Sequence, residues 1–231
     1  MLTTQDNAPN FLQQLQRQKQ QLSQFLLNFL EQEEQKLQDQ LLAPAVFSKL
    51  KSFVVSGKMA RGGLFLLTYQ QLLPLLPQAS KAALEPEQQL AVAAALELTH
   101  SGLLIHDDII DRDQLRRGQP SIWQQFRTEA EAESYAQPLL YGQSLAICSA
   151  NICFYLAQQL LDNLTIAAEL KKEVKSFFNQ EIIRVNLAEM LDVKLALQNN
   201  QAQQAEILAM YRYKTGRYTF ALPLILAGSL A

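Results

Sequence analysis

The sequence predicts an all-α fold, and three observations carry that prediction. Glycine and proline are scarce, eight of each in 231 residues, and long tracts contain neither. Apolar residues recur at spacings of three, four and seven, the repeat of one helix face. Nowhere do β-branched residues alternate with polar ones as a half-buried strand requires.

The helices follow in order. Residues 10–43 are rich in Gln, Leu, Glu and Lys and place Phe11, Leu15, Leu22, Leu26, Phe29 and Leu30 at helical spacing, which predicts one or two amphipathic helices. Residues 87–106 are rich in Ala and Leu and apolar on most sides, as in the central helix of a bundle. Residues 141–161, 167–196 and 203–214 continue the pattern. Turn signals separate them at Pro74 and Pro77, Glu85-Pro86, Gly118-Gln119-Pro120, Pro138 and Asn199-Asn200. With no internal repeat and no linker, one helical domain is expected over residues 1–231.

Composition narrows the function. A chain that is 48% hydrophobic and 18% charged can bury a sizeable core. Twenty Lys and Arg against 22 Asp and Glu give a net charge of −2, which excludes a general basic field for nucleic acid, so any anionic ligand needs a local cluster. Cys148 and Cys153, five apart in an apolar stretch, read as small core residues in a reducing, cytoplasmic compartment. The first residues lack a basic segment followed by an apolar core, and the apolar run 62–77 is broken by Gln70, Gln71, Pro74 and Pro77. Neither secretion nor membrane spanning is expected.

The chemistry concentrates in residues 100–118. Asp107 and Asp111 are four apart, so on a helix they share a face and would repel unless a cation stands between them. The preceding apolar residues, Leu96 to Ile105, place the pair at the end of a buried helix. Hard oxygen donors there suit Mg²⁺, which keeps waters and bridges carboxylates to phosphate; alone, the motif also reads as a solvated acidic helix end. Cationic neighbours favour the site. Lys58 and Arg61 lie three apart at a helix start, Arg116 and Arg117 occupy a turn, and His100 stands two turns before Asp107.

These residues resemble the trans-type isoprenyl diphosphate synthases, or polyprenyl synthetases, from Gly57 to Ala231. Gly57-Lys58-x-x-Arg61 is similar to the family's GKxxR motif. His106-Asp107-Asp108-Ile-Ile-Asp111, led by Glu97-Leu-Thr-His100, is similar to its first Asp-rich motif DDxxD. Leu115-Arg116-Arg117-Gly118-Gln-Pro120 matches LRRGxP, Glu189-Met-Leu-Asp192 sits where GQxxD is usual, and Tyr213-Lys214-Thr215-Gly216-Arg-Tyr218-Thr219 resembles YKTGxYT.

The resemblance implies an isoprenoid synthase-type bundle around a central apolar cavity. It implies that Asp107 and Asp111, supported by Asp108, hold several Mg²⁺ ions, or Mn²⁺ in their place, on an allylic diphosphate that Arg116 also contacts. Lys58, Arg61, His100 and Arg117 would hold isopentenyl diphosphate. Lys214 and Thr215 would lie beside the allylic diphosphate, with Asp192 holding metal or Lys214. A homodimer is implied as well. Three departures stand out: Met59 and Gly62 replace the Arg and Pro of GKRxRP, Ala150-Asn151 replaces Gly-Asp, and Glu189 replaces Gln. No second Asp-rich motif precedes Ala231, so the C-terminal helices are expected to be missing and activity impaired. Two function classes compete: a prenyltransferase, and a non-catalytic subunit that binds prenyl diphosphates or regulates a partner synthase. Terpene cyclases and head-to-head synthases fit less well, because the GKxxR motif and the Arg pair suit a second diphosphate. Gly102 and Leu103, where short-chain members often carry an aromatic floor, are expected to leave room for a product of twenty carbons or longer, with Leu96, Thr99 or residues on a facing helix setting the final depth; Gly102 reads alternatively as a close helix contact whose space a residue from another helix occupies.

Overall fold

The computed structural model describes residues 11–75, 84–199 and 201–231, so the first ten residues and the turn signals at Pro77 and Asn200 lie outside the described residues. Its helices are α1 (Phe11–Lys36), α2 (Ala43–Val55), α3 (Ala60–Leu72), α4 (Pro86–Ile110), α5 (Ile122–Ala132), α6 (Pro138–Asp162), α7 (Ala168–Leu197), α8 (Gln204–Tyr211) and α9 (Leu222–Leu230). Proline stands in the first turn of α2, α4, α6 and α9, where its missing N–H has no partner to lose.

Helix α4 is the axis of the bundle. It is buried from Val92 to Thr99 and packs against α1, α2, α3, α5 and α6. One core joins Leu22, Leu26 and Leu30 of α1 to Phe65 and Tyr69 of α3, Leu96 and Leu98 of α4, Phe178 of α7 and Leu222 and Leu226 of α9. A second core lies towards the C-terminal end of α4, where Leu50 of α2, Ile105, Trp123 and Phe126 of α5 and Cys153 of α6 meet. Each such fully buried Leu or Phe contributes about 1.5–3 kcal/mol, which is why these helices hold without side-chain N-caps.

Three features depart from expectation. The helix expected over 203–214 is α-helical only to Tyr211; Arg212–Ala221, which carries Lys214 and Thr215, is π-helical. Side-chain ties hold that wider turn in place. Arg217 donates to the buried Glu181 of α7 at 2.9 and 2.5 Å, and Arg184 pairs with the same carboxylate. Next, Leu115–Arg116 and Gln119–Pro120 pair as a minimal antiparallel hairpin. Arg117 and Gly118 both take positive φ, 55° and 78°, as a two-residue type I′ loop demands. Third, Cys153 is buried but Cys148 is exposed, on the opposite side of α6. By length and composition α6 is apolar enough to cross a membrane; one side of it packs on α4 and α5, while Leu139, Leu140, Ile147 and Tyr155 are exposed.

Candidate active site

The C-terminal end of α4 carries the carboxylates, and the chain around it supplies cations on two sides. Towards α7, Asp107 is half-buried against Glu189, and burial with that neighbouring carboxylate pushes it up to about 7. Burial and the charge of Glu189 also raise Asp111, which is exposed. Lys214 bridges this side: its Nζ lies 2.8 Å from Glu189 and 2.7 Å from Asp192. Burial works against its charge, but the two carboxylates outweigh that and raise its pKa. Asp192 is therefore occupied with Lys214. Thr215 is exposed one residue on.

Asp108 departs from its expected role. Its carboxylate is fully buried and accepts from Arg116 Nε at 2.6 Å, while Arg116 also reaches Asp113 at 3.1 Å. Burial pushes Asp108 up to about 6, with Arg116 pulling it back. Asp108 is thus the anchor of Arg116 rather than a ligand facing the site, because the α4 helix turns it 100° away from Asp107 and into the hairpin. Trp123 fixes the same corner, its indole N–H donating to the carbonyls of Asp108 and Asp113 at 3.0 and 2.8 Å.

On the other side the positive φ at Arg117 aims its guanidinium at the end of α2. There it donates to Ser56 Oγ at 2.9 Å and lies against Gly57, beside the exposed Lys58. Arg61 sits over the Tyr218 ring at 4.5 Å, and His100 faces that ring at 6.3 Å. Burial and the surrounding Arg61, Arg117 and Arg116 push His100 down to about 3, so it is a neutral imidazole. Arg61, His100 and Arg117 thus converge, with exposed Lys58 next in sequence to Gly57. A short chain of bonds joins the two sides: Arg61 donates to Thr219 Oγ1 at 2.7 Å, and Thr219 donates to the Lys214 carbonyl at 3.3 Å.

Sequence reasoning assigned no role to Glu97, Glu181 or Thr219. An acidic residue inside an otherwise apolar helix was the available signal for Glu97. Burial pushes Glu97 up, and the Gly62 N–H, donating at 2.8 Å, pulls it back. This gives the Gly62 departure a reason, since proline has no N–H to offer. There is also no room: a Cβ on Gly62 would lie 2.6 Å from Leu22 and 2.9 Å from the Ala93 carbonyl. Met59, the other departure, is buried in the left-handed region with φ 51°, its sulfur accepting from Ser23. Gly62→Pro is expected to cost at least about 2 kcal/mol in urea unfolding, through the lost bond and the clash. An unchanged midpoint would show that Glu97 needs no partner.

Gly102 is not open space. A Cβ there would lie 2.8 Å from the Phe154 ring and 3.0 Å from the Ala150 carbonyl, so α6 closes on α4 at this point. Leu103 instead lines an apolar cavity of about 630 Å³ beneath Asp107 and Glu189.

The donor set fits a divalent cation. Among the described residues no three Asp, Glu, His or Cys side chains form a ready-made metal cage. Mg²⁺ does not require one, because phosphate oxygens and water complete the shell around one or two carboxylates. Asp107 and Asp111 are the residues placed to supply them.

An apolar helical bundle thus ends in carboxylates on one side and cations on the other. The polyprenyl synthetase family model matches residues 44–231, and the chain belongs to that family. A short chain isoprenyl diphosphate synthase of Methanocaldococcus jannaschii is 30% identical over 132 residues, covering 56% of this chain and 34% of that protein. A geranylgeranyl pyrophosphate synthase of Aspergillus fumigatus is 31% identical over 186 residues, covering 80% and 43%. The crystal structure of a geranylgeranyl pyrophosphate synthase from Corynebacterium glutamicum, complexed with isoprenyl diphosphate and magnesium, matches with a TM-score of 0.83 at 26% identity, over 94% of this chain and 60% of that one. The chain spans less than half the length of these curated relatives.

Proposed function

We propose that this chain belongs to an enzyme that transfers a prenyl group, head to tail, from an allylic diphosphate to isopentenyl diphosphate. The observation that carries the reading is the pairing of a carboxylate site at Asp107 and Asp111 with a cation site at Arg61 and Arg117, joined through Thr219. In this reading Asp107 and Asp111 hold Mg²⁺, which supplies charge neutralisation to the departing diphosphate. Lys214 stands beside that diphosphate, kept charged and in place by Glu189 and Asp192. Lys58, Arg61 and Arg117 grip the isopentenyl diphosphate, with neutral His100 packed behind them.

The C–O bond of the allylic diphosphate breaks and its electron pair leaves with the diphosphate. The π electrons of isopentenyl diphosphate form the new C–C bond, and the proton then lost passes to the diphosphate. The apolar cavity under Asp107 keeps water from the cation. Arg116, tied to Asp108, serves as a positioning residue for the hairpin that presents Arg117. The expectation of a product of twenty carbons or longer loses its ground at Gly102, where α6 fills the space. A homodimer, on the resemblance alone, and a cytoplasmic location, on the cysteine usage, complete the reading.

Incubation with radiolabelled isopentenyl diphosphate, an allylic diphosphate and Mg²⁺ tests the reading. A labelled prenyl diphosphate longer than the allylic substrate is the expected product. Binding of both substrates without product places the chain in the non-catalytic class, and binding of neither overturns the reading.

A further inference from the structure

The opposite end of the bundle holds a cavity of its own. It measures about 530 Å³ and lies between α1, the start of α4 and the end of α6. Glu87, which lines it, stands twenty residues before Asp107 on α4, about 30 Å along the axis, so this cavity is remote from the carboxylates described above. Phe25 and Phe29, one turn apart on α1, form an aromatic wall, with Leu160 of α6 beside them. Three carboxylates, Glu33, Glu85 and Glu87, line the cavity against a single cation, Lys36.

Glu33 is the informative member, because its side chain is only 9% exposed. Both of its donors, Lys36 Nζ at 2.6 Å and Gln159 Nε2 at 2.9 Å, reach the same oxygen, Oε1. Among the described residues nothing donates to Oε2. A buried carboxylate with half of its acceptor capacity unused is costly to keep unless a further donor, best a charged one, meets it. Lys36 is a loose partner. Its side chain is 62% exposed, and it also lines an adjoining cavity of about 490 Å³ beside Leu37 and Phe47. Lys36 can withdraw from Glu33, whereas Glu33 cannot leave the cavity. Glu85 and Glu87 are exposed and form no ion pair among the described residues.

We propose that this cavity binds an aliphatic polyamine. One ammonium meets Glu33 Oε2, the carbon chain lies along Phe25, Phe29 and Leu160, and a second ammonium reaches Glu85 and Glu87. A metal ion fits less well: the carboxylates come from two helices, and among the described residues no three Asp, Glu, His or Cys side chains gather as a metal ion requires. Positive charges spaced along a chain match carboxylates that are spread in this way. The faces of Phe25 and Phe29 attract the same ammonium groups, and the side-chain oxygens of Gln32 and Gln88 are available to their remaining N–H donors. Displacing Lys36 from Glu33 costs little, since an ion pair with so exposed a partner is weak.

Calorimetric titration of the 231-residue chain with spermidine, in the absence of Mg²⁺, tests the proposal, and saturable binding is expected. Glu33→Gln keeps the shape of the side chain and its bond from Gln159, and is expected to weaken spermidine about tenfold or more. Glu85→Gln together with Glu87→Gln, at two exposed positions that leave the core intact, is expected to weaken it about threefold. Lys36→Met releases Glu33 from its own counterion and is expected to tighten spermidine about twofold to fivefold. Circular dichroism verifies the fold of each variant. Asp107→Ala is expected to leave the affinity unchanged, which separates this cavity from the carboxylates at the other end. Absence of saturable binding to the parent chain overturns the proposal. So does parent-like affinity in the folded Glu33 variant or in the Glu85 and Glu87 double variant, which would mark diffuse attraction to an acidic chain. Loss of spermidine binding in Asp107→Ala overturns it as well, since the amine would then sit at the opposite end.

Discussion

Asp107→Ala is expected to weaken binding of a non-hydrolysable allylic diphosphate analogue in Mg²⁺ on the order of a hundredfold or more, while binding of isopentenyl diphosphate changes little. The magnitude follows from position. Loss of groups that merely orient a metal ligand costs 10–100-fold, and Asp107 is proposed as a ligand itself. The selectivity follows from geometry: Arg61 and Arg117 draw their order from Thr219 and Ser56, not from Asp107. Isothermal titration of both ligands to the variant and the parent measures the two effects together. Parallel loss of both ligands would mean that the carboxylates and cations form one site.

Arg116→Ala is expected to lower unfolding stability by about 3 kcal/mol. Asp108 is fully buried, and removing its partner strands a carboxylate in an apolar corner; the partial exposure of Arg116 places the cost at the lower end for such pairs. Trp123, the single tryptophan, donates to the Asp108 and Asp113 carbonyls, so its fluorescence reports the affected corner directly. Urea unfolding followed at that signal gives the number. The double variant Arg116→Ala with Asp108→Asn is expected to recover part of it, since the stranded charge is gone. A midpoint unmoved in the single variant would show that the pair holds nothing.

What the sequence made legible was whatever depends on periodicity and local chemistry. The helical repeat placed α4, α6 and α7 to within a few residues and the start of α1, though not its end at Lys36, and the spacing of Asp107 and Asp111 marked the end of α4 as chemical. Ordered motifs gathered Lys58, Arg61, His100 and Arg117 on paper, and the fold brings Arg61, His100 and Arg117 together. Tertiary choices stayed hidden. The buried face of Asp108 depends on a hairpin that returns Arg116 to it, and a two-residue strand has no periodicity to read. The π-helical turn under Lys214 depends on Glu181, thirty-six residues away from Arg217 in sequence. Gly102 reads in the sequence as empty space or as a close helix contact; the packing of α6 decides for the contact, with Phe154 in the space.

The central claim is that one end of this bundle holds two diphosphates by different means, carboxylates with metal for one and fixed cations for the other. Titration of the parent chain with the allylic analogue and with isopentenyl diphosphate, each in Mg²⁺ and in EDTA, tests it most directly. The account predicts that EDTA abolishes binding of the allylic analogue and leaves isopentenyl diphosphate bound. Equal affinity of the allylic analogue in Mg²⁺ and in EDTA would contradict it.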